Sequence, residues 1–180
     1  VRVGTVDKET LQLMKRAGCH LIKVGVESGC QRILDKSNKN IYVADIVDLF
    51  KWTRRIGINT HAHLMVGMPG EDRNSLKETA HFIKAIKPTT IDVGICTPYP
   101  GTDLFNKLSS IYPEIQDGTQ TSLKNLHIAS IFNQHYTYLE KAEIESFLRK
   151  IYRDFYFRPS YILDWLKRID NFNDIRKIFY

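Results

Sequence analysis

The chain has 180 residues, 43% of them hydrophobic and 26% charged, which fits one globular domain and excludes a mostly disordered chain. Its longest apolar runs are far shorter than the ~20 residues that a membrane-spanning helix needs. The net charge is +6, and residues 1–60 hold 11 basic and 6 acidic side chains. That surplus suits an anionic ligand or a nucleic acid, but it is equally compatible with solvated helix faces.

The first half of the chain alternates helical and strand-like periodicity. Asp7 is positioned to cap a first helix that Gly18 ends, and Gly57 ends a second helix. The predicted order is a helix after Asp7, a strand over 21–26, a helix over 46–56, a strand over 58–66, a helix over 72–87 and a strand over 91–96. Strands separated by single amphipathic helices predict a parallel sheet. Three strands are too few for a closed barrel, so we expect half of one or an open sheet.

The second half of the chain is helical and aromatic. Thr102 is positioned to cap a short helix that runs to about residue 109, and turn-forming residues predict a loop over 112–123. Thr137 and Glu140 have the spacing of a capping box, which predicts that a long helix begins there. Pro159 should end that helix. We expect this half to pack as a cover on the α/β half.

Each predicted strand ends in an unusual turn, and ligands of parallel α/β sheets bind at the carboxyl ends of strands. In the first turn, Glu27 could accept hydrogen bonds from a ribose or an ammonium group, or simply cap the next helix, and Gly29 would let the backbone approach a ligand. The second turn, at 66–71, offers backbone N–H and C=O groups to a flat heterocycle such as adenine. The third, at 97–102, is stiffened by two prolines and would line a pocket. Each turn alone is also compatible with a plain connection.

Taken in this order, the three turns resemble the second half of the radical S-adenosylmethionine (SAM) barrel. The matching segments are VGVESG at 24–29, MVGMPGE at 65–71, TPYPGT at 97–102, and RVGTVD at 2–7 as the exit from the preceding strand. The resemblance implies an α/β fold, with a partial (half) TIM-type parallel β/α barrel at 1–105 and a helical extension at 106–180. The segment at 155–163 is similar to the tail of a branch that includes anaerobic oxidative cyclases and methyltransferases, often with an amino-terminal cobalamin-binding domain.

The resemblance also implies roles for individual residues of a SAM site. Glu27, with Ser28, would hold the ribose or the amino end of SAM. Lys39 would pair with the methionine carboxylate, although a solvated loop lysine is the alternative. The backbone of the second turn would contact the adenine through Gly67, Met68 and Pro69. The third turn would close that side of the site with Thr97, Pro98 and Tyr99.

The sequence departs from the family at the iron–sulfur motif. It contains no C-x-x-x-C-x-x-C, and Cys19, Cys30 and Cys96 have no spacing that replaces it. Gly4 also stands where relatives often have an aspartate. We therefore assign no catalytic and no metal-binding residue in this chain. We expect it to be a fragment whose missing barrel half, or a partner chain, supplies the cluster ligands, and to be catalytically silent alone.

The implied parent protein is a radical SAM enzyme of the Fe–S oxidoreductase or methyltransferase type. Its cofactors would be SAM, a [4Fe–4S] cluster bound outside this chain and, through a further domain, cobalamin. One alternative is a non-enzymatic SAM-binding or partner-completing module, and a second is an RNA-modifying radical SAM protein. Three cysteines without paired spacing favour a reducing, cytoplasmic compartment. His61 and His63 share one face of a strand, and we expect them to line the barrel or an interface.

Overall fold

A computed structural model describes residues 1–37, 39–112 and 133–166 of the chain. In this part of the chain three strands form one parallel sheet in the order β1-β2-β3. In chain order the elements are α1 (Lys8–Arg16), β1 (Leu21–Glu27), α2 (Gln31–Lys36), α3 (Val43–Ile56), β2 (Asn59–Val66), α4 (Arg73–Ile86), β3 (Thr90–Ile95), α5 (Asp103–Ile111), α6 (Asn133–Tyr136), α7 (Lys141–Tyr156) and α8 (Pro159–Leu166). None of these helices has both the length and the apolarity that crossing a bilayer requires.

Local capping signals explain where most elements of the first half begin and end. The Asp7 side chain accepts a hydrogen bond from the Thr10 amide at the start of α1, and Asp72 forms a capping box with Ser75 at the start of α4. α3 ends at Gly57, whose φ of 80° lies in the left-handed region. These elements confirm the predicted order. The six-residue α2 was not predicted, because so short a helix shows little periodicity.

The two faces of the sheet differ in chemistry. Along each strand alternate residues are buried, and they pack under a layer of helices in which α1, α3, α4 and α7 are successive neighbours. The opposite face carries charged and polar side chains at the alternating positions, namely Lys23, Glu27, His61, His63 and Asp92. Strands of a parallel sheet are usually apolar on both faces. The polar face of this sheet is therefore not part of the hydrophobic core.

The long helix of the second half packs on the same core as the strands. Ile144, Ile151 and Phe155 of α7 are buried in the main hydrophobic cluster together with strand residues. The helix begins three residues later than predicted: Glu140 is its N-cap and forms the capping box with Glu143. The Thr137 hydroxyl is instead hydrogen-bonded to Leu139, which is why it does not cap the helix.

Other boundaries in the second half agree with the sequence. Thr102 caps α5, as predicted, by accepting a hydrogen bond from the Phe105 amide. α7 ends at Tyr156, and Pro159 begins α8. The predicted loop over 112–123 lies outside the described residues except for Tyr112.

Tyrosine hydroxyls from α7 and α8 cover the outer edge of β3. The Val93 amide donates to Tyr152 Oη at 2.9 Å, and the Ile91 amide donates to Tyr156 Oη at 3.0 Å. Tyr161 Oη donates to the carbonyl of Thr89 at 2.9 Å. An uncovered strand edge is a template for pairing with another strand. These hydroxyls therefore occupy edge groups of β3 that would otherwise be open to another strand.

Candidate functional site

The three turns singled out in the sequence lie side by side in the structure. The strands are parallel, and the register pairs Glu27 with Leu64 and Val66 with Ile95, so the carboxyl ends of β1, β2 and β3 meet at one edge of the sheet. This is the edge where open parallel sheets bind ligands. The fold thus brings the segments at 27–29, 67–71 and 96–99 to one edge of the sheet.

Glu27 and Lys39 form an ion pair at the end of β1. The Lys39 Nζ to Glu27 Oε1 distance is 2.5 Å, and the Glu27 side chain is only 14% exposed. Glu27 has a φ of 63°, and the pairing with β2 is irregular between Gly25 and Glu27. Such a left-handed conformation is uncommon for a residue with a side chain. The backbone is therefore bent where the carboxylate leaves the strand.

A cleft of about 410 Å³ adjoins this ion pair. Arg2 Nη2 donates to the carbonyl of Lys39 at 2.5 Å, which fixes the loop that carries the lysine. The cleft is lined by Val1, Arg2, Gly25, Glu27, Lys39 and Ile41. One carboxylate, that of Glu27, and two cations, those of Arg2 and Lys39, therefore border the same cleft.

Ser28 and Gly29 have structural partners on α4. The Ser28 hydroxyl is fully buried, lies 3.1 Å from the Thr79 hydroxyl and accepts a hydrogen bond from the Cys30 amide. A Cβ on Gly29 would lie 2.5 Å from the Cβ of Phe82. Gly29 therefore permits a close approach to helix α4, and an approach of its backbone to a ligand stays a prediction. A ligand contact by Ser28 stays a prediction.

The backbone amides of the second turn are used within the protein. Glu71 Oε2 accepts hydrogen bonds from the amides of Gly67 at 2.6 Å and Met68 at 3.2 Å. Pro69 has no N–H group, and the Gly70 amide donates to the carbonyl of Tyr136 at 2.7 Å. The sequence predicted that both donors and acceptors are open to a heterocycle. In the structure these amides already have acceptors, and two carbonyls of the turn are also engaged: that of Met68 accepts from the Glu71 amide at 3.0 Å, and that of Gly70 accepts from Arg32 at 2.8 Å.

Glu71 is a site residue to which the sequence pattern gave no role. Its side chain is fully buried, and Oε1 has no hydrogen-bond partner among the residues that the structure describes. Burial raises the pKa of this carboxyl from 4.5 to about 7, although the hydrogen bonds from Gly67 and Met68 oppose the shift. A carboxylate directly after a glycine-rich turn is the signal that could have indicated its role as an acceptor for the turn.

The third turn forms a wall beside the second. Pro98 is buried, while Thr97 and Tyr99 are half-buried, and the carbonyl of Tyr99 accepts a hydrogen bond from the Thr102 hydroxyl at 2.7 Å. The Cys96 amide donates to the carbonyl of Val66 at 2.7 Å, which ties the ends of β3 and β2 together. The turn is thus a rigid neighbour of the second turn, and its contact with a ligand stays a prediction.

The cysteines of this chain do not fit an iron–sulfur cluster. All three thiols are free, Cys30 is buried at the start of α2, and burial raises the pKa of Cys96 to about 11. Cluster ligation requires accessible thiolates. Within the described residues no group of three His, Cys, Asp or Glu side chains is arranged to hold a metal ion. The residues present therefore provide no cluster ligand set.

The polar face below the turns carries His61 and His63. His61 Nδ1 lies 2.6 Å from the Thr90 hydroxyl, and His63 Nδ1 lies 3.5 Å from Asp92 Oδ2. The two rings are in edge-to-face contact. Burial, and then the neighbouring His63, lowers the pKa of His61, so the His61 ring is neutral at physiological pH.

The sequence and fold are similar to those of known proteins. The model of the family described as the Radical SAM superfamily matches residues 2–83. An uncharacterised methyltransferase of Pyrococcus horikoshii is 29% identical over 163 residues, which cover 90% of this chain and 34% of that protein. The anaerobic magnesium-protoporphyrin IX monomethyl ester cyclase of Cereibacter sphaeroides is 33% identical over 102 residues, 57% of this chain and 17% of that protein.

The fold is similar to the solved structure of Elp3 from the archaeon Methanocaldococcus infernus, with a TM-score of 0.56 and 22% sequence identity. The match covers 61% of this chain and 26% of the Elp3 chain. At this identity the similarity shows the fold alone, which agrees with a partial barrel sheet. This chain spans about a third or less of the length of the relatives it matches.

Proposed function

This chain belongs to the radical SAM superfamily, and we propose that its three strand-end turns form the carboxyl-terminal side of a SAM-binding site in an enzyme of the methyltransferase or oxidative cyclase type. The observation that carries the proposal is the Glu27–Lys39 ion pair at the carboxyl end of β1, beside the backbone of the second turn. The reaction type rests on the similarity to a methyltransferase and to a cyclase, both of which are much longer than this chain.

The charges in the cleft match those of a methionine moiety. Glu27 and Lys39 neutralise each other when no ligand is bound, so neither charge is left unpaired in a partly buried position. In a ligand that carries an ammonium and a carboxylate on one carbon, the ammonium can pair with Glu27 and the carboxylate with Lys39. The Lys39 ammonium would then pair with the methionine carboxylate, and Glu27 would accept hydrogen bonds from the ammonium or from ribose hydroxyls.

The chemistry of the second turn suits the amino group of adenine. Because the amides of Gly67, Met68 and Gly70 donate within the protein, the turn would contact a purine by accepting from it. The carbonyls of Met68 and Gly70 already accept one hydrogen bond each, and a carbonyl oxygen has two lone pairs and can accept a second. The exocyclic amine of adenine is a hydrogen-bond donor. The half-buried Tyr99 would provide apolar surface at the neighbouring strand end.

The iron–sulfur cluster, when bound elsewhere in such an enzyme, supplies the electron for reductive cleavage of SAM. No residue of this chain is assigned to the cluster, and none is assigned to cobalamin. The part that we propose for this chain is to bind and orient SAM through Glu27, Lys39 and the turn backbones.

Calorimetric titration of the chain with SAM tests this function. We expect saturable binding, and we expect Glu27→Ala to raise the Kd at least about ten-fold, since a hydrogen bond to a charged group contributes roughly 1.5–3 kcal/mol. Glu27→Gln keeps the shape but not the charge and should give an intermediate loss. Glu145→Ala serves as the matched control, because this carboxylate lies on α7 and its ion pair with Lys141 is exposed.

The titration can also contradict the proposal. Absence of heat at millimolar SAM in the wild-type chain would rule out this site, provided that the chain is folded. Equal Kd values for Glu27→Ala and Glu145→Ala would mean that SAM binds elsewhere.

A further inference from the structure

One short segment of the extension connects two of the three turns. Tyr136 is the last residue of α6, and Tyr138 lies between α6 and α7. The carbonyl of Tyr136 accepts a hydrogen bond from the Gly70 amide at 2.7 Å, and the Tyr138 amide donates to the carbonyl of Glu71 at 2.8 Å. The Tyr136 hydroxyl donates to the carbonyl of Cys96 at 2.8 Å. A single residue, Tyr136, therefore contacts the turn after β2 through its backbone and the end of β3 through its side chain.

Neighbouring residues hold Tyr136 in this position. Its ring packs against Phe105 and Leu108 of α5, which are both buried. On its other side, Thr137 and Leu139 are buried, and Leu139 belongs to the main hydrophobic core. The segment is thus anchored at both ends, in α5 and in the core.

The hydroxyl of Tyr136 remains a donor at all working pH values. Burial raises the pKa of this phenol far above its ordinary value, so it does not ionise. A neutral hydroxyl that is held by packing can fix the carbonyl of Cys96 without losing its proton. The proton that this contact requires is therefore retained in the folded state.

We propose that Tyr136 is a positioning residue, which clamps the turns after β2 and β3 to each other and so preorganises the turn backbone for a purine. The inference rests on the proposed function for the identity of the ligand. A turn that is fixed before binding loses less conformational entropy when the ligand arrives. Without the hydroxyl, the backbone bond from Gly70 to Tyr136 loses its side-chain anchor, and the turn should open more often.

The test compares Tyr136→Phe with Tyr138→Phe in the full chain. Tyr138 is a matched control, because its side chain is 75% exposed. In the absence of any ligand, we expect Tyr136→Phe to speed hydrogen exchange of the Gly70 and Tyr138 amides several-fold, with core amides such as that of Ala62 unchanged. The Kd values for SAM and for adenosine should both rise about five-fold, which corresponds to one net hydrogen bond. Tyr138→Phe should change neither quantity.

Two results would overturn the inference. Unchanged exchange at Gly70 in Tyr136→Phe would mean that the hydroxyl does not clamp the turns. Faster exchange with unchanged affinity for adenosine and SAM would mean that the clamp does not position a ligand. If the wild-type chain binds neither ligand, the proposed function fails and the assignment to a purine fails with it, whereas the exchange data still decide whether the clamp exists.

Discussion

Replacing Phe155 by alanine is expected to lower the free energy of unfolding by about 3–5 kcal/mol, the usual cost of truncating a buried phenylalanine. Phe155 is fully buried in the core that α7 shares with the sheet. Its ring contacts those of Tyr156 and Tyr161, and the guanidinium of Arg158 lies 4.2 Å from its centroid. A loss of this size is a large share of the roughly 5–15 kcal/mol that stabilises a typical domain.

Urea unfolding of Phe155→Ala beside Phe157→Ala measures this effect. Phe157 is 75% exposed and follows α7 directly, so its truncation should cost little. Because Phe155 belongs to the extension, the large loss would show that the extension and the sheet unfold as one unit. Two variants of equal stability, or a separate transition for the extension in the wild type, would contradict this packing.

Glu71 is expected to make the chain less stable as pH rises through neutrality. Its pKa is about 7 in the folded state, against an ordinary value of 4.5. Between these two pH values the carboxyl is therefore protonated in the folded chain and ionised in the unfolded chain. The contribution of Glu71 to the free energy of unfolding is therefore fully present below pH 4.5, and it is lost as the pH rises to about 7 and the buried carboxyl ionises. The difference between the two pKa values corresponds to about 3 kcal/mol of unfolding free energy. The charged neighbours Asp72 and Arg32 act on this pKa in opposite directions, and burial outweighs both.

The measurement is the free energy of unfolding of the wild type and of Glu71→Gln at several pH values. Relative to the glutamine variant, the wild type should lose about 3 kcal/mol between pH 4.5 and about 7.5. Contributions from other groups, such as the lowered pKa of His61, are common to both proteins and cancel. Parallel pH profiles for the two proteins would mean that Glu71 is not the group that titrates.

The fold of the first half could be predicted because its signals are local. Asp7 and Asp72 cap helices, and Gly57 ends one, within a few residues of where the sequence places them. The start of α7 could not be fixed in this way. Thr137 and Glu140 both have an acidic residue three positions later, and the choice depends on the hydrogen bonds between Thr137 and Leu139.

The site was predictable only where its residues lie close in sequence or match a family pattern. The resemblance gave roles to both Glu27 and Lys39, which are 12 residues apart and form an ion pair. It gave no role to Glu71. It also predicted that the amides of the second turn are available to a ligand, although the amides of Gly67 and Met68 donate to Glu71. Tyr136 could not be found at all, because its partner Cys96 is 40 residues away and no local pattern indicates that contact.

The most direct test of a single SAM site built from three turns is a titration of the isotopically labelled chain with SAM, in which amide chemical shifts are measured by NMR at each step. A single SAM site predicts saturable shifts, with one common Kd, at Glu27, Gly67, Met68, Thr97 and Tyr99. The amides of Leu21, Asn59 and Thr90, which lie at the opposite ends of the strands, should not move. Shifts confined to one turn or to the opposite edge of the sheet, or no shifts at saturating SAM, would contradict a SAM site built from the three turns.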